Sequence, residues 1–374
     1  MSKLFAVLLI LGLCNSVKAI QAQTPTDLQT WLQAEVSTVV NGPEGPPAMA
    51  ITIIDAGQVV AGGYAGLADT DLNLSLGPDT PLRIASVTKT YVAATLLSLA
   101  EAQDLSLNSP VEPYLSEAFA APLRQAGYDL QAIQLHHLLS HTAGLPDHTE
   151  HWWYNLRSFL FTSIEWQPVD TVELAADLGP PLAPPGQLFN YSDTGYIMLG
   201  QVIEELSAQS LPEALRATLN YDRIGLTHTW WERMEDPSIE TEPRAIQYWY
   251  GFNMNRLDAS VDLYGGGGLI ASVSDMGRFY EALFERQLLS AAALQQMLTP
   301  ADLPKDSSYR YGIAEWPAKA DLPQGYGHTG FWGTAVIYYP ELGVAIAGAI
   351  TERNNFSQLM SLMKKTADQF RLVE

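Results

Sequence analysis

The chain has 374 residues, 47% of them hydrophobic, and sets 41 acidic side chains against 20 basic ones for a formal net charge of −21. That length and composition can bury a large core as one compound domain or two. The acid excess disfavours a nucleic acid partner, whose phosphates are tracked by clustered Lys and Arg, and the single cysteine, Cys14, excludes a disulfide framework or a cysteine-rich metal site.

Lys3 precedes an apolar run that reaches Cys14, and Val17-Lys18-Ala19 follows as a small-residue cleavage pattern. This predicts a signal peptide over residues 1–19 and a mature chain, 20–374, that is periplasmic or secreted and has no thiol. Removing two lysines and no acid takes the charge to −23. Leu13 is bulkier than the residue that precedes a lipidated cysteine, which disfavours a lipoprotein anchor at Cys14. No later stretch approaches the ~20 apolar residues of a membrane span, so no stable span is expected in the mature chain.

Thr26, Leu28, Trp31, Leu32, Val36 and Val39 have helical spacing, closed by Asn41-Gly42-Pro43. Two β-branched, apolar runs follow at Ala48–Asp55 and 59–64, joined by Ala56-Gly57-Gln58 as a tight hairpin turn. Residues 86–103 are apolar on nearly every face and predict a buried helix. From about 105 to 264 the pattern is helix and loop, including a helix over 194–208. Strand signals return at 309–316, 325–329, Thr334–Tyr339 and 343–351, before an amphipathic closing helix over 355–372. Strands at both ends with helices between them predict an α+β fold. One antiparallel sheet, from about 20–104 and 265–374, would be flanked by N- and C-terminal helices, with an all-helical region inserted over about 105–264.

Ser86-Val87-Thr88-Lys89 is an S-x-x-K motif, and positions i and i+3 of a helix share a face, so hydroxyl and amine can touch. A lysine taken out of water is weakened as a cation and can serve as a base, while the helix N-terminus favours negative charge developing at Ser86. The spacing recurs at Ser361-Leu362-Met363-Lys364 in the closing helix, where solvated lysines make it an idle copy. A second element, Tyr191-Ser192-Asp193, sits at a loop-to-helix junction. The third, His328-Thr329-Gly330 followed by Phe331, lies on a late strand whose free N–H groups can face an oxyanion.

S-x-x-K with S-D-N and K-T-G marks class A β-lactamases and penicillin-binding proteins. The chain more closely resembles the class C β-lactamase, D-alanyl-D-alanine carboxypeptidase and esterase family, whose middle element is Y-x-N and whose last is K-T-G or H-T-G. It carries that family's connecting pieces in order: the segment from His137 to Leu145, Gly266-Gly267-Gly268-Leu269, Ser274-Asp275-Met276 and Arg278-Phe279. The resemblance covers about residues 48–352. It implies a β-lactamase/transpeptidase-like fold and a serine hydrolase with Ser86 as nucleophile, Lys89 as its partner, and Tyr191 as general base and then general acid. His328 would replace the family's substrate-facing lysine, Thr329 and Gly330 would border the substrate, and the N–H groups of Ser86 and Phe331 would form the oxyanion hole. The implied substrate is a small ester or amide, a peptidoglycan-derived peptide among the candidates, and no cofactor or metal is implied. Asp193 departs from the family's asparagine. An aspartate accepts but does not donate, so weaker amide recognition and tighter holding of Lys89 are expected.

Two rival readings have residues behind them. His136, His137, His141, His148 and His151 fall close together and imidazole binds zinc, but no H-E-x-x-H spacing accompanies them. A non-catalytic binding protein would keep the fold and lose the reaction, against which Ser86, Lys89 and Tyr191 stand intact. The 265–268 glycine run lacks a following Lys-Ser/Thr and reads as a tight turn rather than a phosphate cradle. Trp152, Trp153, Trp230, Trp231, Trp249 and Tyr250 read first as core, with an acyl pocket as the other use for some of them.

Overall fold

The computed structural model describes residues 25–373 except 263, 286–287, 304–307 and 320–321. The signal-peptide expectation, Cys14 included, lies outside the described residues. In chain order the first half contains α1 (Pro25–Val40), β1 (Ala48–Asp55), β2 (Gln58–Asp69), β3 (Leu74–Ser75), β4 (Leu82–Arg83), α2 (Thr88–Ala102), α3 (Glu117–Gln125), α4 (Leu135–Leu139), α5 (Trp152–Leu160) and α6 (Pro168–Asp177). Then come α7 (Asp193–Ser207), α8 (Leu211–Leu219), α9 (Tyr221–Ile224), β5 (Thr229–Trp231), β6 (Tyr248–Trp249), β7 (Phe252–Asn253), β8 (Leu269–Ala271), α10 (Val273–Glu285) and α11 (Ala291–Leu298). The chain closes with β9 (Ala314–Trp316), β10 (Gly325–Gly330), β11 (Thr334–Tyr339), β12 (Val344–Ile350) and α12 (Phe356–Val373).

The main sheet has the order β3-β2-β1-β12-β11-β10-β9, antiparallel throughout, so the first and last strands of the chain meet at β1 and β12, with Met49 opposite Ile350. Ala56 and Gly57 turn the β1–β2 hairpin with both φ angles positive, at 48° and 75°, the twist that a two-residue hairpin favours. One face of the sheet buries Ile51, Ile53, Ile337 and Ile346 against Leu32 and Val36 of α1 and Leu359 and Met363 of α12. The other packs on α10 and the helical body around α2 and α7. The α+β architecture with flanking terminal helices is as the sequence predicts.

Three expectations are corrected. The inserted region is not all-helical: Thr229–Trp231 pairs with Leu269–Ala271, which also pairs with Leu82–Arg83, closing a small sheet beside the site. The strand expected over 309–316 shrinks to Ala314–Trp316, because Gly312, at φ 67°, turns the chain onto α2, where its carbonyl accepts from Thr90 Oγ1 at 2.5 Å. Trp231 is core, but Trp152, Trp153 and Tyr250 are exposed. Among the described residues no helix is long and apolar enough to cross a membrane.

Candidate active site

Ser86 lies in a single 3-10 turn, Ala85–Val87, just ahead of α2 rather than inside it. Ala85 takes φ 48°, an uncommon conformation for a residue with a side chain, and is fully buried beside Met254, Leu257 and Trp332. Lys89, in the first turn of α2, is also fully buried. Its Nζ donates to Ser86 Oγ at 3.0 Å and to the Gly266 carbonyl at 2.5 Å, and lies 2.6 Å from Asp193 Oδ1 in an ion pair. Two of the three donors of the ammonium are thus hydrogen-bonded, and the carboxylate is held by charge. Desolvation is thereby matched by an opposite charge and two acceptors, the condition under which a buried charge is tolerated.

Asp193 opens α7, where the helix N-terminus favours a carboxylate. Tyr191, two residues earlier, hydrogen-bonds Ser86 with its hydroxyl, and Lys89 Nζ stands 5.1 Å from its ring centre. Burial first, and the charge of Asp193 second, push the Tyr191 phenol well above its ordinary pKa, so the resting side chain is neutral. The Ser192 hydroxyl instead donates to the Pro146 carbonyl at 2.9 Å, away from Ser86. The structure therefore brings Tyr191 and Asp193 to the nucleophile and turns Ser192 from it.

Strand β10 forms the opposite wall. Its partner β9 pairs only with Gly325, Tyr326 and Gly327, so among the described residues the edge of 328–330 has no strand neighbour on that side. A Cβ on Gly330 would stand 2.2 Å from the Ile84 carbonyl and 2.1 Å from Thr334 Oγ1, so only glycine lets the strand end abut the segment that leads into Ser86. Thr334 Oγ1 donates to the same Ile84 carbonyl at 3.0 Å. Thr329 is half-buried on this strand and Phe331, just beyond it, is 43% exposed.

His328 is buried, and its Nδ1 donates to the Thr329 carbonyl at 2.8 Å, which leaves Nε2 as a lone-pair acceptor. Burial, with the charge of Lys89 second, lowers His328 to about 4. It is a neutral acceptor where the resembled family offers a cationic lysine.

Several participants lie outside the three catalytic motifs. The His141 ring stacks on Tyr191 at 4.3 Å between centres, and its Nδ1 accepts the Ser192 N–H at 3.2 Å. Tyr309 meets the rings of Tyr191, His328 and Phe189. Two further carboxyls flank Asp193. Asp147 Oδ2 accepts the Asp193 N–H at 3.2 Å, and Asp262 Oδ2 accepts the Trp332 indole N–H at 2.9 Å. Burial, then the nearby charge of Asp193, raises each to about 7. The glycine run is close packing: a Cβ on Gly267 would lie 2.0 Å from Asp262 Oδ1.

The five clustered imidazoles make local contacts, His136 and His137 both to Gln134, rather than converging on one point. His136 Nε2 meets Gln134 Oε1 at 2.8 Å, and His137 Nδ1 accepts the Gln134 N–H at 3.0 Å. His148 Nδ1 meets Thr194 Oγ1 at 3.0 Å, and His151 Nε2 meets Asp177 at 3.0 Å. Among the described residues no three His, Cys, Asp or Glu side chains are arranged to hold a metal ion. The second S-x-x-K copy is exposed at both Ser361 and Lys364. Asp275, of the connecting Ser274-Asp275-Met276, is buried and structural, accepting from the His228 N–H, Thr229 Oγ1 and Arg278 Nη1.

The chain is similar to penicillin-binding protein 4* of Bacillus subtilis (strain 168), 24% identical over 297 residues that cover 74% of this chain and 61% of that protein. It is 27% identical over 313 residues to esterase EstB of Burkholderia gladioli, covering 74% and 78% respectively. It spans about three fifths of the length of that penicillin-binding protein and of two further curated relatives. In fold it resembles the D-amino acid amidase from Ochrobactrum anthropi SV3 complexed with L-phenylalanine amide, with a TM-score of 0.75, 20% identity and coverage of 92% of this chain and 99% of that one. A D-stereospecific amidohydrolase from Streptomyces sp. gives a TM-score of 0.73 at 24% identity, covering 87% and 94%. The model of the Beta-lactamase family matches residues 37–359, and the chain therefore belongs to that family.

Proposed function

We propose that the protein is an exported serine hydrolase that cleaves small neutral esters, or amides of amino acids, through an acyl-enzyme at Ser86. The observation that carries this reading is the placement of Ser86 Oγ between the buried Lys89 Nζ, at 3.0 Å, and the hydroxyl of Tyr191. The leader pattern of residues 1–19 supports export.

The three contacts of Lys89 and the neutrality of Tyr191 divide the proton traffic. As Ser86 Oγ attacks the carbonyl carbon, Lys89 gives a proton to Asp193 Oδ1, 2.6 Å away, and the amine lone pair so freed takes the proton of Ser86. The oxygen of the tetrahedral adduct gathers negative charge at the N–H groups of Ser86 and Phe331, which lie at the 3-10 turn and at the free end of β10. The neutral Tyr191 then protonates the leaving group. Its phenolate takes a proton from the incoming water in deacylation, and the proton held by Lys89 and Asp193 returns to Ser86 Oγ. In this division Tyr191 is the acid first and the base second, the reverse of the order that the resemblance implies. The Asp193 carboxylate supplies the difference.

Substrate charge follows from β10. A neutral His328 whose Nε2 can only accept cannot hold a carboxylate, so penicillins and free C-terminal carboxylates lose the anchor that a lysine would give. Neutral esters, or amides of amino acids without a free carboxylate, are favoured. Comparing p-nitrophenyl acetate with benzylpenicillin at pH 7.5 tests this. The expected result is clear ester turnover with little penicillin cleavage, and a kcat/KM for penicillin above that for the ester would overturn it.

A further inference from the structure

Beyond the cleft, α5 and the β6–β7 hairpin hold a run of aromatic side chains out of the core. The outer face of α5 exposes Trp152, Leu156, Phe159 and Leu160 at 69, 40, 40 and 65%, a stripe at helical spacing. Its inner face is fixed, since the Tyr154 hydroxyl donates to the Val261 carbonyl and Ser158 Oγ accepts the Trp166 indole N–H at 3.0 Å. The hairpin lifts Tyr250 to 72% exposure, and Glu352 holds the tip by accepting the N–H groups of Tyr250 at 3.2 Å and Gly251 at 2.9 Å. The rings are continuous: Phe159 meets Trp249 at 5.6 Å and Trp249 meets Phe331 at 5.3 Å between centres. An apolar surface of this extent, held outward by hydrogen bonds, marks a binding site.

We infer that this aromatic ledge, from Phe331 through Trp249 to Phe159, is the acyl-chain subsite of the enzyme, and that its substrates are esters with an extended apolar acyl chain of about eight carbons, at about 1.3 Å per carbon along the two ring-to-ring steps. The inference rests on the hydrolase reading above. Continuity with the cleft identifies the occupant, because the ledge begins on Phe331, whose N–H the proposed reaction assigns to the oxyanion hole. The leaving group lies on the other side, where Tyr191 protonates it beside Tyr309 and Phe189. The net charge of −21 argues against an anionic bilayer as the occupant.

The test is kcat/KM for p-nitrophenyl acetate and p-nitrophenyl octanoate with the wild type, Phe159→Ser and Phe159→Leu. In the wild type the octanoate-to-acetate ratio should exceed about ten, since each buried methylene contributes up to about fourfold. It should fall about tenfold in Phe159→Ser and be largely restored in Phe159→Leu, with circular dichroism reporting that both are folded. A ratio near one in the wild type, or an equal ratio in all three proteins, overturns the ledge while leaving the hydrolase reading standing. Failure to turn over acetate, together with no labelling of Ser86 by a fluorophosphonate, overturns both. Pelleting of the protein with neutral phosphatidylcholine vesicles alongside a flat ester series would assign the surface to a bilayer and overturn the acyl subsite.

Discussion

Lys89 Nζ lies 2.6 Å from Asp193 Oδ1 and 3.0 Å from Ser86 Oγ, so one buried nitrogen links the nucleophile to a carboxylate at the start of α7. In the resembled family an asparagine stands at the position of Asp193 and cannot take a proton. In the proposed reaction the pair gives the proton of Ser86 somewhere to go.

Asp193→Asn removes that acceptor while keeping the shape. Ester turnover should fall by about 10² at pH 7, within the usual range for a proton-transfer group. The rate should also climb toward alkaline pH, because the ammonium must then release its proton to solvent. A pH–rate profile measured for both proteins checks this. Superimposable profiles would return the base role to Tyr191.

Tyr191→Phe separates the two half-reactions. An alkyl ester or an amide needs its leaving group protonated, so its turnover should drop by about 10² to 10⁴. p-Nitrophenolate leaves without help, so with that ester acylation should persist and deacylation should stall. Stopped-flow absorbance should show a burst of one equivalent followed by a slow steady state. Equal losses on both substrates, with no burst, would contradict the assignment of Tyr191 as acid before base.

His328→Lys places a cation on the free edge of β10. Acylation by benzylpenicillin relative to p-nitrophenyl acetate should rise by about tenfold or more, as expected when a carboxylate gains an opposite charge in a partly desolvated cleft. Rates of β-lactam ring opening followed in the ultraviolet give the ratio. An unchanged ratio would mean that the edge does not meet the carboxylate.

Stability should decline on acidification from pH 6.5 toward 4. His137, His148 and His328 are each lowered by burial to about 4, and His141 lies well below its ordinary value. The unfolded chain protonates these imidazoles in that window while the folded one does not, so stability is fully present above the unfolded value and is lost as pH falls. Asp147 and Asp262, raised to about 7, act with the opposite sign, since only the folded chain keeps them protonated there. Burial also lowers His136 and raises Asp275, so five imidazoles stand against three carboxyls and outweigh them. A buried imidazole such as His328 contributes up to about 3 kcal/mol. Thermal unfolding between pH 4.5 and 7 should give a falling Tm at low pH and a shallower slope for His328→Asn. A Tm that rose on acidification would contradict this balance.

The legible part of this site was local or ordered along the chain. Ser86 and Lys89 are three residues apart at the start of a buried helix, so their contact follows from helical geometry even though Ser86 falls in the 3-10 turn before α2. Tyr191 and the 328–331 segment were legible through the order of the family-like pieces. Asp147, Asp262 and the use of the Gly266 carbonyl were not, because each reaches Lys89 or Asp193 only through tertiary packing and neither aspartate sits at a diagnostic spacing. Their one signal was adjacency, Asp147 just after the connecting segment and Asp262 just before the glycine run. Strands of two or three residues such as Leu82–Arg83 and Thr229–Trp231 are too short for alternation to register. The aromatics of α5 and of the hairpin tip read as core because composition does not report which face of an element finds a partner.

The central claim is that Ser86 is the residue acylated. Incubation of the wild type, Ser86→Ala and Ser361→Ala with a fluorophosphonate, followed by peptide mass spectrometry, addresses it directly. The account predicts one equivalent of label on the Ser86 peptide in the wild type and in Ser361→Ala, and none in Ser86→Ala, in which the small loss of a hydroxyl leaves the fold intact. Label that persisted in Ser86→Ala, or that appeared on another residue of the wild type, would contradict it.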